Sequence, residues 1–212
     1  MRKIVAFDFD GTLTTRDTFL AFIRYAKGTR ALVLGLLCHA PLLVLMKLRL
    51  YPNYKAKQKV FSYFFKGMKI EEFDGLCQRF AKDNQHLLRP KGKEAIHQAL
   101  DEGAEVLIVS ASIDNWVRPF FNTEGRFFCV SRSIDTKEPS LCVMGTQIEV
   151  KDGCLTGRFQ TKNCYGQEKV NRILERYPDR RDYYLTAYGD SRGDRELLAF
   201  ADESHFKPFR ES

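Results

Sequence analysis

The segment Lys3-Ile4-Val5-Ala6-Phe7 is short and mostly apolar, and reads as a buried strand. It runs straight into Asp8-Phe9-Asp10-Gly11-Thr12-Leu13. Folding alone gives no reason to end a buried strand in two carboxylates. They repel each other, and taking either out of water is costly. The plainest reading is an acidic turn, since Asp and Gly are common turn residues. Chemistry offers another. One carboxylate can attack, the other can move protons, and a cation can hold the pair together. Which reading holds depends on what the rest of the chain brings to the same place.

The chain has 212 residues, enough for one domain with a substantial core, or for a domain carrying a smaller insert. At 44% hydrophobic and 29% charged it has the composition of a folded soluble protein rather than a disordered one. Six cysteines are scattered, without Cys-x-x-Cys pairs or zinc-like spacing. Met1-Arg2-Lys3 leads directly into the first strand, so no signal peptide is expected. Together these features predict a cytoplasmic protein with reduced thiols.

The net charge of +7 is concentrated in one region. Between Arg16 and Lys59 stand nine basic residues and a single acid, Asp17, enough to account for the whole excess. Within that region, Ala31 to Met46 carries no charge and one His. The run is shorter than the ~20 residues a membrane-spanning helix needs, and Pro41 interrupts it. Lys27 and Arg30 precede it; Lys47 and Arg49 follow. Two readings stay open: a pair of helices buried in a helical subdomain, or an element that rests in a membrane interface.

Around that run the pattern is helical. Asp17 is a candidate N-cap for a helix through about Lys27. Tyr54 to Lys66 and Ile70 to Leu88 repeat aromatics at helical spacing, which predicts core packing. From Pro90 the chain alternates. Helices are predicted over Lys91–Leu100, Ile113–Asn122, Gln167–Tyr177 and Arg195–Phe200. Strands are predicted over Glu105–Val109, ending at Ser110, and over Asp182–Tyr188, ending at Gly189-Asp190. Arg126 to Val150 holds short strand-like pieces, with Ser131–Ser140 read as a loop. Thr146–Val150 and Leu155–Gln160 flank an Asp152-Gly153 turn, the signal of a hairpin. Alternation of this kind predicts a parallel sheet with helices on both faces.

Ligands of such sheets bind at the carboxyl ends of the strands. One predicted strand ends in Asp8 and Asp10, a second in Ser110-Ala111-Ser112, and a third in Gly189-Asp190-Ser191-Arg192-Gly193-Asp194. Lys169 opens a helix near the same edge. Taken singly, Ser110 is an ordinary strand-end serine, Lys169 a solvated lysine and Asp194 a helix cap. Their joint order is far more specific.

With this set, the sequence resembles the haloacid dehalogenase superfamily of phosphohydrolases, and within it the branch containing phosphoserine phosphatase. The resemblance implies an α/β fold: a three-layer Rossmann-like core, residues 1–15 and 90–212, with a small helical cap, residues 16–89, inserted after the first strand. It implies Asp8 as nucleophile, Asp10 as general acid/base and Lys169 as a catalytic lysine. Ser110, Ala111, Gly11 and Asp17 would face the substrate. Mg2+ would be held by Asp8, Asp190 and the Asp10 main-chain carbonyl, with Asp194 and Gly189 in support. The implied reaction is Mg2+-dependent hydrolysis of a phosphomonoester through an aspartyl-phosphate.

For the leaving group the signals divide. Asp17 stands where phosphoserine phosphatases carry a cap-entry acid, but Gly11 departs from the serine common there. The run Ala31–Met46 and the segment Asn163-Cys164-Tyr165-Gly166-Gln167-Glu168-Lys169-Val170 look more like the phosphatidylglycerophosphatase C group, which implies a lipid phosphate such as phosphatidylglycerophosphate and peripheral membrane contact through the cap. Phosphoserine or another small metabolite is the alternative. A non-catalytic binding protein on the same fold is a third reading, opposed by the complete residue set. Nucleic acid is not an expected partner, because the basic residues are interleaved with aliphatics rather than set in a recognisable motif.

Overall fold

The computed structural model describes residues 1–121 and 141–210. Five strands form one parallel sheet: β1 (Arg2–Phe7), β2 (Glu105–Ile113), β3 (Leu141–Thr146), β6 (Tyr183–Gly189) and β7 (Glu203–Phe206), in the order β3-β2-β1-β6-β7. β1 is central, which is why it reads as a nearly unbroken apolar run. Its alternate residues serve two cores. Ile4 and Ala6 join Leu107, Val109, Leu185 and Ala187 on one face. Phe7 joins Val106 and Ile108 on the other. Helix α7 (Gln167–Arg176) and α8 (Arg195–Phe200) cover the first face through Ile173 and Leu197. Helix α5 (Pro90–Asp101) and the inserted helices cover the second, through Ile96, Leu100 and the cap aromatics. This is the three-layer α/β fold with a helical cap after the first strand.

The cap consists of α1 (Thr18–Cys38), α2 (Ala40–Lys47), α3 (Asn53–Phe65) and α4 (Ile70–Asp83). Asp17 caps α1, its Oδ1 accepting from the amides of Phe19 at 2.9 Å and Leu20 at 3.3 Å. Phe22 is the centre of the cap core, packed against Phe65, Phe73, Phe80 and the core residue Trp116. The two crossings between cap and core lie side by side. Thr15 N donates to Leu87 O at 2.9 Å, and Arg89 N to Leu13 O at 2.8 Å.

The hairpin forms as β4 (Ile148–Lys151) and β5 (Cys154–Phe159) around Asp152-Gly153, both with positive φ as the tight turn requires. It is separate from the main sheet and clasps the cap instead. Gly67 N donates to Leu155 O at 2.8 Å and Leu155 N to Met68 O at 2.9 Å.

Several boundaries differ from the sequence reading. The first hairpin arm starts at Ile148, not Thr146, because Leu141–Thr146 stays in the main sheet beside β2. β2 runs three residues past Ser110, to Ile113. The helix expected over Ile113–Asn122 is α6 (Asp114–Val117) followed by a single tighter turn, Arg118–Phe120, with Pro119 at its start. The last α4 turns expected before Leu88 give way at Asn84. The loop expected over Ser131–Ser140 lies outside the described residues.

Candidate active site

The chain leaves β1 in opposite directions on its two sides: β2 and β3 lie to one side, β6 and β7 to the other. A crevice therefore opens at the carboxyl end of β1, and Asp8 and Asp10 sit there. Asp8 is buried. Its Oδ1 accepts from Lys169 Nζ at 2.5 Å, and its Oδ2 from Thr12 Oγ1 at 3.1 Å. Lys169, in the first turn of α7, is buried too, and also donates to Asp194 Oδ1 at 2.6 Å. One ammonium thus lies between two carboxylates. Burial pushes the Asp8 carboxyl up to about 7, against the pull of the Lys169 ammonium. Burial opposes the charge on Lys169, but Asp8 and Asp194 outweigh it and hold the ammonium above its ordinary range. Asp194 is held below the carboxylate range: its burial is overcome by Lys169 and by the donors of Ser191.

Asp194 is therefore more than a helix cap. Its Oδ2 accepts from the amides of Asp190 and Ser191 and from Ser191 Oγ, which folds the loop after β6 into its shape. Gly189 is required by this packing, since a Cβ there would lie 2.5 Å from Asp194 Cβ. Gly11, with φ of 84°, is required on both counts: a Cβ would meet Asp190 Oδ2 at 2.6 Å.

Asp10 points the other way, toward the cap. Its Oδ1 accepts from Thr18 N at 2.7 Å and Thr18 Oγ1 at 2.6 Å, and its Oδ2 accepts from Ser112 Oγ. Burial and the neighbouring Asp17 raise its pKa, while Lys57 and its two hydroxyl donors oppose that. Ser110 is fully buried, and its Oγ accepts from Ser112 N at 3.0 Å. Ala111 lines the crevice, and its carbonyl accepts from Lys57 Nζ at 2.9 Å.

The carboxylates of Asp8, Asp190 and Asp194 approach within 4.8 Å of one another. Asp190 offers Oδ1 to Thr12 and Oδ2 to Arg210, the latter at 2.7 Å. The side chain of Asp10 is outside this group, engaged by Thr18 and Ser112.

Above this floor is a cavity of about 510 Å3. Asp8, Asp10, Lys169 and Asp194 form its base; Asp17 and Lys57 stand on its wall, and Tyr165 and Asn163 close one side. Six apolar cap side chains, Phe19, Leu20, Leu36, Leu43, Met46 and Val60, also line the cavity, with Asn53 and Ser191 among the polar lining residues.

A model of the haloacid dehalogenase-like hydrolases matches residues 5–199. The chain belongs to that family. It is also 34% identical over 98% of its length to the protein CicA of Caulobacter vibrioides, covering 86% of that protein. Among solved structures, a Bordetella pertussis Tohama I protein of unknown function superposes with a TM-score of 0.79 at 17% identity, covering 96% of this chain and 89% of that one. A phospho-aspartyl intermediate analogue of phosphoserine phosphatase superposes with a TM-score of 0.60 at 21% identity, covering 96% and 85%. At such identities the two structures attest the fold.

Haloacid dehalogenase-like phosphatases typically use Mg2+, and the oxygen-only donor set of Asp8, Asp190 and Asp194 suits that hard cation. The sequence reading singles out Asp8, Asp10, Lys169 and Asp190. It gives no role to Thr18 and Ser112, whose hydroxyls donate to Asp10 as that of Thr12 does to Asp8, or to Lys57 and Arg210. Lys57 gave no sequence signal because it is one of nine basic residues in its region. Thr12 was readable as part of the opening motif; Ser112, two residues beyond Ser110, was adjacent to a marked strand end.

Proposed function

We propose that this hydrolase is a Mg2+-dependent phosphomonoesterase that works through an aspartyl-phosphate on Asp8. The observation that carries the proposal is the Asp8–Lys169–Asp194 arrangement facing Asp190 at the base of a single cavity. When bound, Mg2+ would supply positive charge opposite the phosphoryl oxygens. The chain does the rest. Lys169 offsets the charge that would otherwise repel a phosphate dianion from Asp8. An Asp8 oxygen attacks phosphorus, the bond to the leaving oxygen breaks, and Asp10 gives that oxygen a proton. Asp10 then takes a proton from the water that cleaves the acyl phosphate, releasing inorganic phosphate and restoring Asp8. The raised pKa of Asp10 favours the protonated form this sequence starts from.

The substrate in this reading is a phosphorylated small molecule. The fold shared with phosphoserine phosphatase supports it, as do the opposite charges of Asp17 and Lys57 on the cavity wall. A second reading, a lipid phosphate, is favoured by one observation: six apolar cap side chains line the same cavity. A cytoplasmic location belongs to the same proposal and rests on the scattered cysteines of the sequence, none of them in a Cys-x-x-Cys pair.

The reaction is tested with p-nitrophenyl phosphate. Turnover is expected with Mg2+, absent with a chelator, and restored by Mg2+ in excess. Asp8→Asn is expected to reduce it by more than about 10^3-fold. Full activity of pure Asp8→Asn protein would sink the mechanism. No turnover of any phosphomonoester would favour the non-catalytic reading. A screen of phosphoserine, sugar phosphates and phosphatidylglycerophosphate in mixed micelles separates the two substrate classes.

A further inference from the structure

The basic, apolar stretch behind the first strand has one face that the proposed reaction does not use. Helix α1 breaks at Gly28, whose φ of 84° and ψ of 163° leave the helical region. Helix α1 as a whole and α2 form a pair bent by 67°. One side of this pair is anchored. Gly35 lies so close to α3 that a Cβ would meet the Phe64 ring at 2.2 Å, and Leu32 and Leu43 pack on the core. The other side is bare. Leu34 is 60% exposed, Leu37 64%, Val44 56% and Leu48 62%, and α2 buries none of its residues. A contiguous apolar face of this kind marks a contact site rather than ordinary surface.

The charge around it selects the partner. Arg24, Lys27 and Arg30 on α1, Lys47 on α2, Arg49 just past it and Lys55 in the first turn of α3 are all exposed, and no Asp or Glu occurs from residue 18 to residue 70. A second copy of the chain would set one positive rim against another, which is repulsive. An anionic lipid surface supplies both complements: headgroup charge for the rim and acyl chains for the apolar centre. No single described helix is long and apolar enough to cross a membrane, and α3 occupies the inner side of the bent pair. The pair therefore has the geometry of an element lying in the interface plane.

We propose that the outer face of α1 and α2 docks this protein on an anionic bilayer. The proposal does not rest on the reaction above, and it predicts binding whatever the substrate is.

The test is vesicle flotation of the full chain, with neutral phosphatidylcholine vesicles against vesicles holding about 30 mol% of an anionic phospholipid. Binding is expected to the anionic vesicles, weakly or not at all to the neutral ones, and to fall as salt is raised. Leu37→Glu with Leu48→Glu is expected to abolish it. Replacing Arg30, Lys47 and Arg49 by Gln is expected to weaken it by about fivefold per charge. Both variants should keep the wild-type thermal transition by circular dichroism, which separates lost docking from lost folding. Absence of binding to either vesicle would overturn the proposal, as would equal binding to both. Sedimentation velocity covers the remaining occupant: a dimer that the Leu37→Glu, Leu48→Glu variant dissociates would assign the face to a second copy and overturn the proposal as well.

Discussion

The floor of the cavity and the outer cap are opposites in how their residues are held. On the floor every carboxylate oxygen of Asp8, Asp10 and Asp194 has a donor. Lys169 bridges Asp8 and Asp194, Asp194 gathers three donors with its other oxygen, and Asp10 takes donors on both of its own. On the outer face of α1 and α2 the side chains are apolar and have nothing above them. The floor is fixed by directional bonds in a place where an unpaired group is costly. The cap face is fixed by composition alone. Directional bonds specify one chemistry, while an apolar face specifies only what kind of surface fits it.

The largest effect that would break the comparison is on the floor. Lys169→Met leaves Asp8 and Asp194 facing each other, buried and without their shared cation. Removing one partner of a buried ion pair costs about 3–5 kcal/mol. Activity should fall at least about 10^2-fold, because the charge that lets a dianion approach Asp8 is gone. Urea denaturation and p-nitrophenyl phosphate turnover measure the two together. An unchanged unfolding midpoint would mean that the floor is not held by this network.

Lys57 lies between the two regions and tests where one ends. It belongs to a cap helix, yet its ammonium donates to the Ala111 carbonyl, sits 5.1 Å from the Phe19 ring and faces Asp10 and Asp17. Burial lowers its pKa, and those two carboxylates oppose the fall. Lys57→Met keeps the stem and removes the charge. We expect KM for a phosphomonoester to rise about tenfold with a smaller change in kcat, as for a charge that draws the dianion in without acting on the reacting bond. Stability should change by no more than about 1 kcal/mol, the worth of one hydrogen bond. A loss confined to kcat would place Lys57 with the floor instead.

What the sequence disclosed divides along the same line. β1, β2 and β6 were legible because central parallel strands are continuous apolar runs, and the residues at their ends stand out against them. Asp8, Asp10 and Asp190 were legible for that reason, and Lys169, at a helix start, only through its place in the joint order of the set. β7, Glu203–Phe206, was not: it is a short edge strand with polar residues and no period. β3 was partly hidden, because Leu141–Thr146 passes into the hairpin through Gln147 with no clear turn signal between them. The roles of Ser110 and Ser112 depend on where β2 stops, and a strand that continues to Ile113 sets Ser112 on Asp10 and turns Ser110 to the Ser112 amide. Lys57 depends on how the cap packs on the core, a contact 54 residues apart in sequence.

The smallest expected effect is also the sharpest test of the cap face. Leu48→Ser removes a large apolar side chain, which in the core would cost about 2–5 kcal/mol. Leu48 is 62% exposed, so most of that side chain is in water in the folded and unfolded states alike. The difference in burial that gives a leucine its value is then nearly absent, and the midpoint of urea unfolding should move by less than about 0.5 kcal/mol equivalent. A leucine that contributes so little to the fold, in a row with Leu34, Leu37 and Val44, is a residue whose apolarity has to be explained by something outside the fold. A loss above about 1.5 kcal/mol would show instead that the face packs against the chain itself, and the contrast with the floor would collapse into one continuous core.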